Sequence, residues 1–241
     1  MTMLREALCI IINNTREVCI VNLYLIANII GFVCSLFGFI YGGIHYFRPR
    51  QATYAQMITL ALGCNAFGRL FYIVRLLTTG FITASVQLGF FGIVGSFMFF
   101  FSSNFGTLDS LLDDGTKTFR KYRLIALAAP AAFILMYILF FLTAEISQMW
   151  KILGGVLTFM AALSTYFNLK HLLFPDVDFG VVKCLRLYNF LVLLYSLSVY
   201  IECVGLSRDN EVLTLICCIF NGLITVAMMP SIVRGLKKWR A

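Results

Sequence analysis

Seven stretches of about twenty or more predominantly apolar residues follow one another along this 241-residue chain. A hydrocarbon core ~30 Å thick takes about 20 helical residues to cross. Inside lipid every backbone N–H and C=O must be satisfied within its own segment, so long continuous stretches fold as helices. The spans read as 18–46, 54–77, 85–108, 122–143, 147–173, 184–204 and 212–233. A transmembrane β-barrel would show short alternating segments instead. Charged residues make up 12% of the chain, where soluble domains carry about a quarter. The expected fold class is therefore an all-α polytopic membrane protein, with residues 1–241 forming one seven-helix transmembrane domain. The first residues hold only a short apolar run, LCIII, and lack the pattern of a cleaved signal peptide.

Lysine and arginine placement predicts the orientation. The 1–2, 3–4 and 5–6 connections and the C-terminal tail carry thirteen of them, and the opposite side carries Arg5, Arg16, Lys151 and Arg208. The N-terminus is expected outside and the C-terminus in the cytoplasm. The net charge of +8 is then largely a cytoplasmic fringe facing anionic headgroups. No soluble element carries a basic face, so nucleic acid is not an expected partner. The expected location is the plasma or inner membrane.

Span 1 ends in HYFRP and span 5 in HLLFP, and in both the His and Pro stand four apart: His45 with Pro49, His171 with Pro175. If spans 1–3 correspond to spans 5–7, span 4 is left over as a connector. Its sequence, LIALAAPAAFILMYILFFL, is the least polar of the seven and suits a lipid-facing helix. Both copies start from the same side, so the repeat is parallel, about an axis along the membrane normal. This 3+1+3 layout resembles the architecture of the SWEET sugar transporters. The Pro-Gln motif of that family does not occur in the spans, so no substrate follows from the likeness. A retinal protein is disfavoured, because span 7 has no lysine for a Schiff base.

Span 2 contains GCNAFGRLFYIVRLLTTG, with Arg69 and Arg75 inside an apolar stretch. A charge near the bilayer centre costs at least ~2.5–3.5 kcal/mol on insertion scales, so such a residue is usually paired or functional. Arg75 lies near one surface and can snorkel; Arg69 lies deeper. Asn65, Arg69 and Tyr72 share one helical face. Span 6 places Tyr188, Tyr195 and Glu202 seven apart, also on one face, with Glu202 at the depth of the arginines. The expectation is an Arg69–Glu202 pair with tyrosines beneath it, forming a polar cavity between spans 2, 6 and 7. Asn221 and Thr225 in span 7, and Ser164 and Asn168 in span 5, lie at compatible depths. A pair of this kind can also serve only to fix helix register.

Three other features carry weaker chemistry. His45 and His171 sit at equivalent span ends and are low-ranking candidate metal or haem ligands. Asp109 and Asp113 are four apart at the end of span 3, with Asp114 beside them and four basic residues following. They form a charge-paired hairpin, a docking epitope for a cytoplasmic protein partner, or a cation site. The eight cysteines include no CxxC pair, so no disulfide or zinc framework is expected. No nucleophile–base pair or phosphate loop occurs, so no catalytic residue and no cofactor is assigned. The functional expectation is a transporter or channel for a small anionic or polar solute. The alternatives are a seven-helix receptor or sensor signalling through a cytoplasmic partner, and a structural subunit of a larger complex. The partners to expect are the lipid bilayer, a small-molecule ligand, a cytoplasmic protein and a second copy in a homo-oligomer.

Overall fold

The computed structural model describes the backbone of residues 2–47, 52–79, 88–105, 109, 115, 117–175, 181–208 and 210–240. Side chains are described within these ranges except at 2–22, 118, 181–184 and 236–240. Seven helices and no strand occur among the described residues. They are α1 (Thr2–Tyr46), α2 (Thr53–Thr79), α3 (Leu88–Asn104), α4 (Arg120–Leu142), α5 (Gln148–Leu173), α6 (Val181–Ser207) and α7 (Glu211–Arg240). A single 3₁₀ turn, Lys117–Phe119, leads into α4, which is interrupted by a turn at Leu127 and finishes in a π-helical turn, Ile138–Leu142. Ser147 caps α5 by accepting from the Trp150 backbone N–H.

Six of these helices are long and apolar enough to cross a membrane: Leu23–Tyr46 within α1, then α2, α4, α5, Leu185–Ser207 within α6, and Glu211–Gly235 within α7. The protein is an integral membrane protein. Two boundaries differ from expectation. α1 begins at Thr2 rather than near residue 18, because nothing between residues 2 and 30 breaks a helix: Gly and Pro are absent there. α3 spans 17 residues, Leu88–Asn104, where the hydropathy pattern predicts 85–108. At 1.5 Å per residue it is roughly 26 Å long. Residues 85–87 and 106–108 lie outside the described ones.

Six helices close a ring. α1 packs on α2, α2 on α3, α3 on α5, α5 on α6, α6 on α7, and α7 back on α1. α4 packs on α5, with Phe133 and Phe141 reaching the Tyr200 ring of α6. Only 17% of the apolar stretch of α4 is buried, against 61% in α6, so α4 is the least enclosed of the six long apolar helices. Lipid supplies no hydrophobic drive between helices, so close contact through small residues does the work. The α2–α3 seam shows this: a Cβ on Gly92 would lie 2.6 Å from the Gly68 Cα. Only glycine permits that approach, and it places the next residue, Arg69, beside the ring interior.

Candidate functional site

The ring order puts α2 opposite α6, and a salt bridge spans the gap. Arg69, fully buried on α2, meets Glu202, 4% exposed on α6, in a two-pronged contact. Nη1 bonds Oε1, and Nη2 donates to Oε2 at 2.7 Å. Nη1 also points at Asn28 Oδ1 of α1 (3.3 Å) and at Cys218 Sγ of α7 (2.9 Å). Glu202 accepts from Asn221 Nδ2 of α7 at 2.6 Å and from the Cys218 thiol at 3.4 Å. Four of the six ring helices thus converge on one ion pair. Fork-on-fork geometry of this type is the strongest an arginine makes.

The pair does not use all the polar capacity around it. Arg69 Nε, Asn65 Oδ1 and Asn221 Oδ1 are buried without a hydrogen-bond partner. Each such atom costs about 1–3 kcal/mol relative to a satisfied one. The guanidinium itself keeps one spare donor, while Asn65, one turn before Arg69 on α2, and Asn221, bonded to Glu202, each keep a spare acceptor. Asn65 spends its amide on Ser35 Oγ of α1, at 2.7 Å. Asn189 of α6, 1% exposed, has both its side-chain oxygen and nitrogen unpartnered.

Below the ion pair α6 turns toward α3. Tyr195 Oη lies 3.3 Å from Ser96 Oγ, and Tyr188 Oη lies 3.0 Å from Ser103 Oγ. Both tyrosines are fully buried. The seven-residue spacing on α6 meets a seven-residue spacing on α3, which makes two rungs about 10 Å apart at 1.5 Å per residue. Beyond them Asn104 donates to Asn168 Oδ1 of α5 at 2.9 Å. His171, fully buried, then has an acceptor on each ring nitrogen: Asn104 Oδ1 at 2.9 Å and Asp109 Oδ1 at 3.1 Å. That arrangement suits the doubly protonated ring. Lys170 joins Asp109 in an ion pair. Burial pushes the Asp109 carboxyl up, but the hydrogen bonds from His171 and Lys170, with their charges, outweigh it and hold it below the usual carboxylate range.

The sequence candidates therefore divide. Arg69, Glu202 and Asn221 come together, with Asn65 adjacent. Tyr188 and Tyr195 lie on the same interior but engage α3. Tyr72 packs its ring on Gly89 of α3, where an added Cβ would sit 2.7 Å from it, and is half-buried. Thr225 spends its hydroxyl on the Gly222 carbonyl of its own helix. Ser164 and Asn168 belong with Asn104 rather than with Arg69. Asp109 is engaged by Lys170 and His171; Asp113 and Asp114 lie outside the described residues.

The two histidines have unlike surroundings. His45 is exposed, stacked on Tyr41 with ring centroids 4.2 Å apart, and bonded to the Tyr41 carbonyl. His171 has both nitrogens occupied by neighbours, so neither is offered to a metal. Among the described residues no group of three or more His, Cys, Asp or Glu is placed to hold a metal ion. Sequence reasoning missed Asn28 and Cys218 at the ion pair, and Ser96, Ser103, Asn104 and Lys170 below it. Asn28 and Asn104 carried a signal, since each is an amide in an apolar span, the feature that marked Asn65. Comparison of the chain with protein-family models, curated proteins and solved structures finds no match.

Proposed function

We propose that this chain is a membrane transporter for a small anionic or polar solute, with the Arg69–Glu202 pair as its binding and gating centre. In this reading the chain crosses the membrane seven times, N-terminus outside and C-terminus in the cytoplasm. α1–α3 and α5–α7 are the two halves of a parallel repeat, and α4 is the connector. The ring order supports the repeat: the halves meet through α3–α5 and through α7–α1, contacts that exchange under a two-fold axis.

The observation that carries the reading is the bidentate ion pair across the ring, with an unused donor and two unused acceptors beside it. A carboxylate or similar anion entering there would compete with Glu202 for the guanidinium and take up the free Nε–H. Released Glu202 keeps Asn221 and Cys218 as donors, so neither charge is left bare. Polar atoms without partners in a helix bundle core point to ligand or water occupancy.

The test is flux into proteoliposomes, wild type against Arg69→Ala, over a panel of small carboxylates, phosphates and neutral polar metabolites. Flux of one class in the wild type that vanishes in the variant is the expected result. Binding without flux would favour a receptor. Neither binding nor flux across the panel, with folded protein, would favour a structural subunit and end the transporter reading.

A further inference from the structure

A cavity of about 340 Å³ opens between α1 and α7, lined by Phe37, Tyr41, Met229, Pro230, Val233 and Arg234. That size falls at the lower end of ligand pockets. It lies on one of the two seams where α1–α3 meets α5–α7. Its chemistry is graded along the membrane normal. Arg234 stands at the end of the apolar stretch Glu211–Gly235, and Tyr41 stands five residues before the end of α1. Both therefore sit near the level where hydrocarbon gives way to headgroups. Phe37 and Met229, about one turn deeper on each helix, are apolar. Met229 is buried, and Phe37 is 59% exposed. The groove thus has a charged mouth and an oily slot.

Arg234 is exposed and has no hydrogen bond or ion pair among the described residues. Its guanidinium is a fork suited to a phosphate. Pro230, inside α7, has no N–H to donate to the carbonyl one turn back. The sequence continues with Lys237, Lys238 and Arg240, a density of positive charge that draws anionic lipid to that face. A wholly apolar groove would accept any lipid chain. One with an unpaired arginine at headgroup depth selects by charge.

We infer that this groove is a specific site for one anionic glycerophospholipid drawn from the bilayer. The phosphate sits on Arg234 with Tyr41 Oη beside it, and one acyl chain lies against Phe37, Met229 and Pro230. The lipid fills the α1–α7 seam at one membrane face. The opposite seam, α3–α5, is closed there by Asp109, Lys170 and His171. The inference stands apart from the transport reading, since it requires no solute and no flux.

The full chain is reconstituted in nanodiscs of phosphatidylcholine with graded phosphatidylglycerol, and lipid retained after extraction is counted by native mass spectrometry. Four proteins are compared: wild type, Arg234→Gln, Val233→Trp, and Arg208→Gln as a basic residue at the far end. Wild type and Arg208→Gln retain one phosphatidylglycerol in preference to phosphatidylcholine. In Arg234→Gln that retention falls about tenfold, the loss expected for a charge-assisted hydrogen bond. Val233→Trp loses it by filling the slot while keeping the charge. Thermal midpoints in pure phosphatidylcholine check that each variant is folded, and Arg234→Gln alone carries the test if Val233→Trp is not. Equal retention in wild type and Arg234→Gln, or no preference for phosphatidylglycerol, overturns the site and leaves ordinary boundary lipid.

Discussion

Two acid–base clusters stand out among the described residues, and they differ in the exposure of the carboxylate, in the helices they join and in the further partners they hold. Arg69–Glu202 joins opposite helices, both side chains 5% exposed or less, and its further contacts are neutral: Asn28, Asn221 and Cys218. Asp109 joins neighbouring helices, is 21% exposed at the side chain, and shares two basic partners, Lys170 and His171. Removing one member of the first cluster strands a charge where water cannot follow. Removing Asp109 leaves Lys170 and His171, themselves buried, beside a position that water reaches in part. The contrast shows that proximity of opposite charges says little until burial and the alternative partners are known.

The largest effect should come from stranding Arg69. Glu202→Leu is expected to destabilise the protein by about 3–5 kcal/mol, read from unfolding in a mild detergent. The double variant Arg69→Met/Glu202→Leu should recover most of that loss, because two apolar side chains often replace a buried pair at little cost. A double variant as unstable as the single one would mean that the pair contributes mainly through shape, and the contrast would fall.

Asp109→Asn should cost less, about 1–2 kcal/mol, since the carboxylate itself is partly exposed and the amide can still accept from Lys170 or His171. Its pH dependence is a sharper signature. The folded Asp109 carboxyl titrates below its unfolded value. It therefore stabilises the fold at neutral pH, and this contribution is lost as pH falls through and below the usual carboxylate range. The difference between wild type and Asp109→Asn should shrink to nothing on acidification. A difference independent of pH would remove the charge from the explanation.

The smallest change belongs to the thiol between the two charges. Cys218→Ala deletes a weak donor and should shift stability by roughly 1 kcal/mol or less. The same cysteine reports access: in a variant with Cys218 as the sole cysteine, a membrane-impermeant thiol reagent should react slowly in wild-type context and faster with Glu202→Gln. Equal rates would mean that the ion pair does not control entry.

Much of the ion pair was legible along the chain. Charge inside an apolar span singled out Arg69, helix depth matched it to Glu202, and period-3.6 spacing put Asn65 on the same face. Tyr188 and Tyr195 were placed together on one face of α6 beneath the pair, with no neighbour named for their hydroxyls. They bond Ser96 and Ser103 of α3, because α3 stands beside α2 and closes that side of the ring. Tyr72 shares a stripe with Arg69 on paper, yet three residues turn a helix by about 300°, enough to set it against Gly89. Asp109 looked like half of an acidic pair, and Lys170 and His171 claim it from another helix.

Hydropathy alone determined that the chain is helical and membrane-embedded, because the bilayer penalises every unsatisfied backbone group and every stray charge residue by residue. The order of helices around the ring, the convergence of α1, α2, α6 and α7 on one ion pair, and the open seam between α1 and α7 were decided by tertiary structure. A helical repeat specifies which side chains share a face. It does not specify which helix that face will meet, since in lipid any apolar face packs about equally well against another helix or against acyl chains. The choice rests on local fits such as Gly68 against Gly92 and on the few polar groups that must find one another.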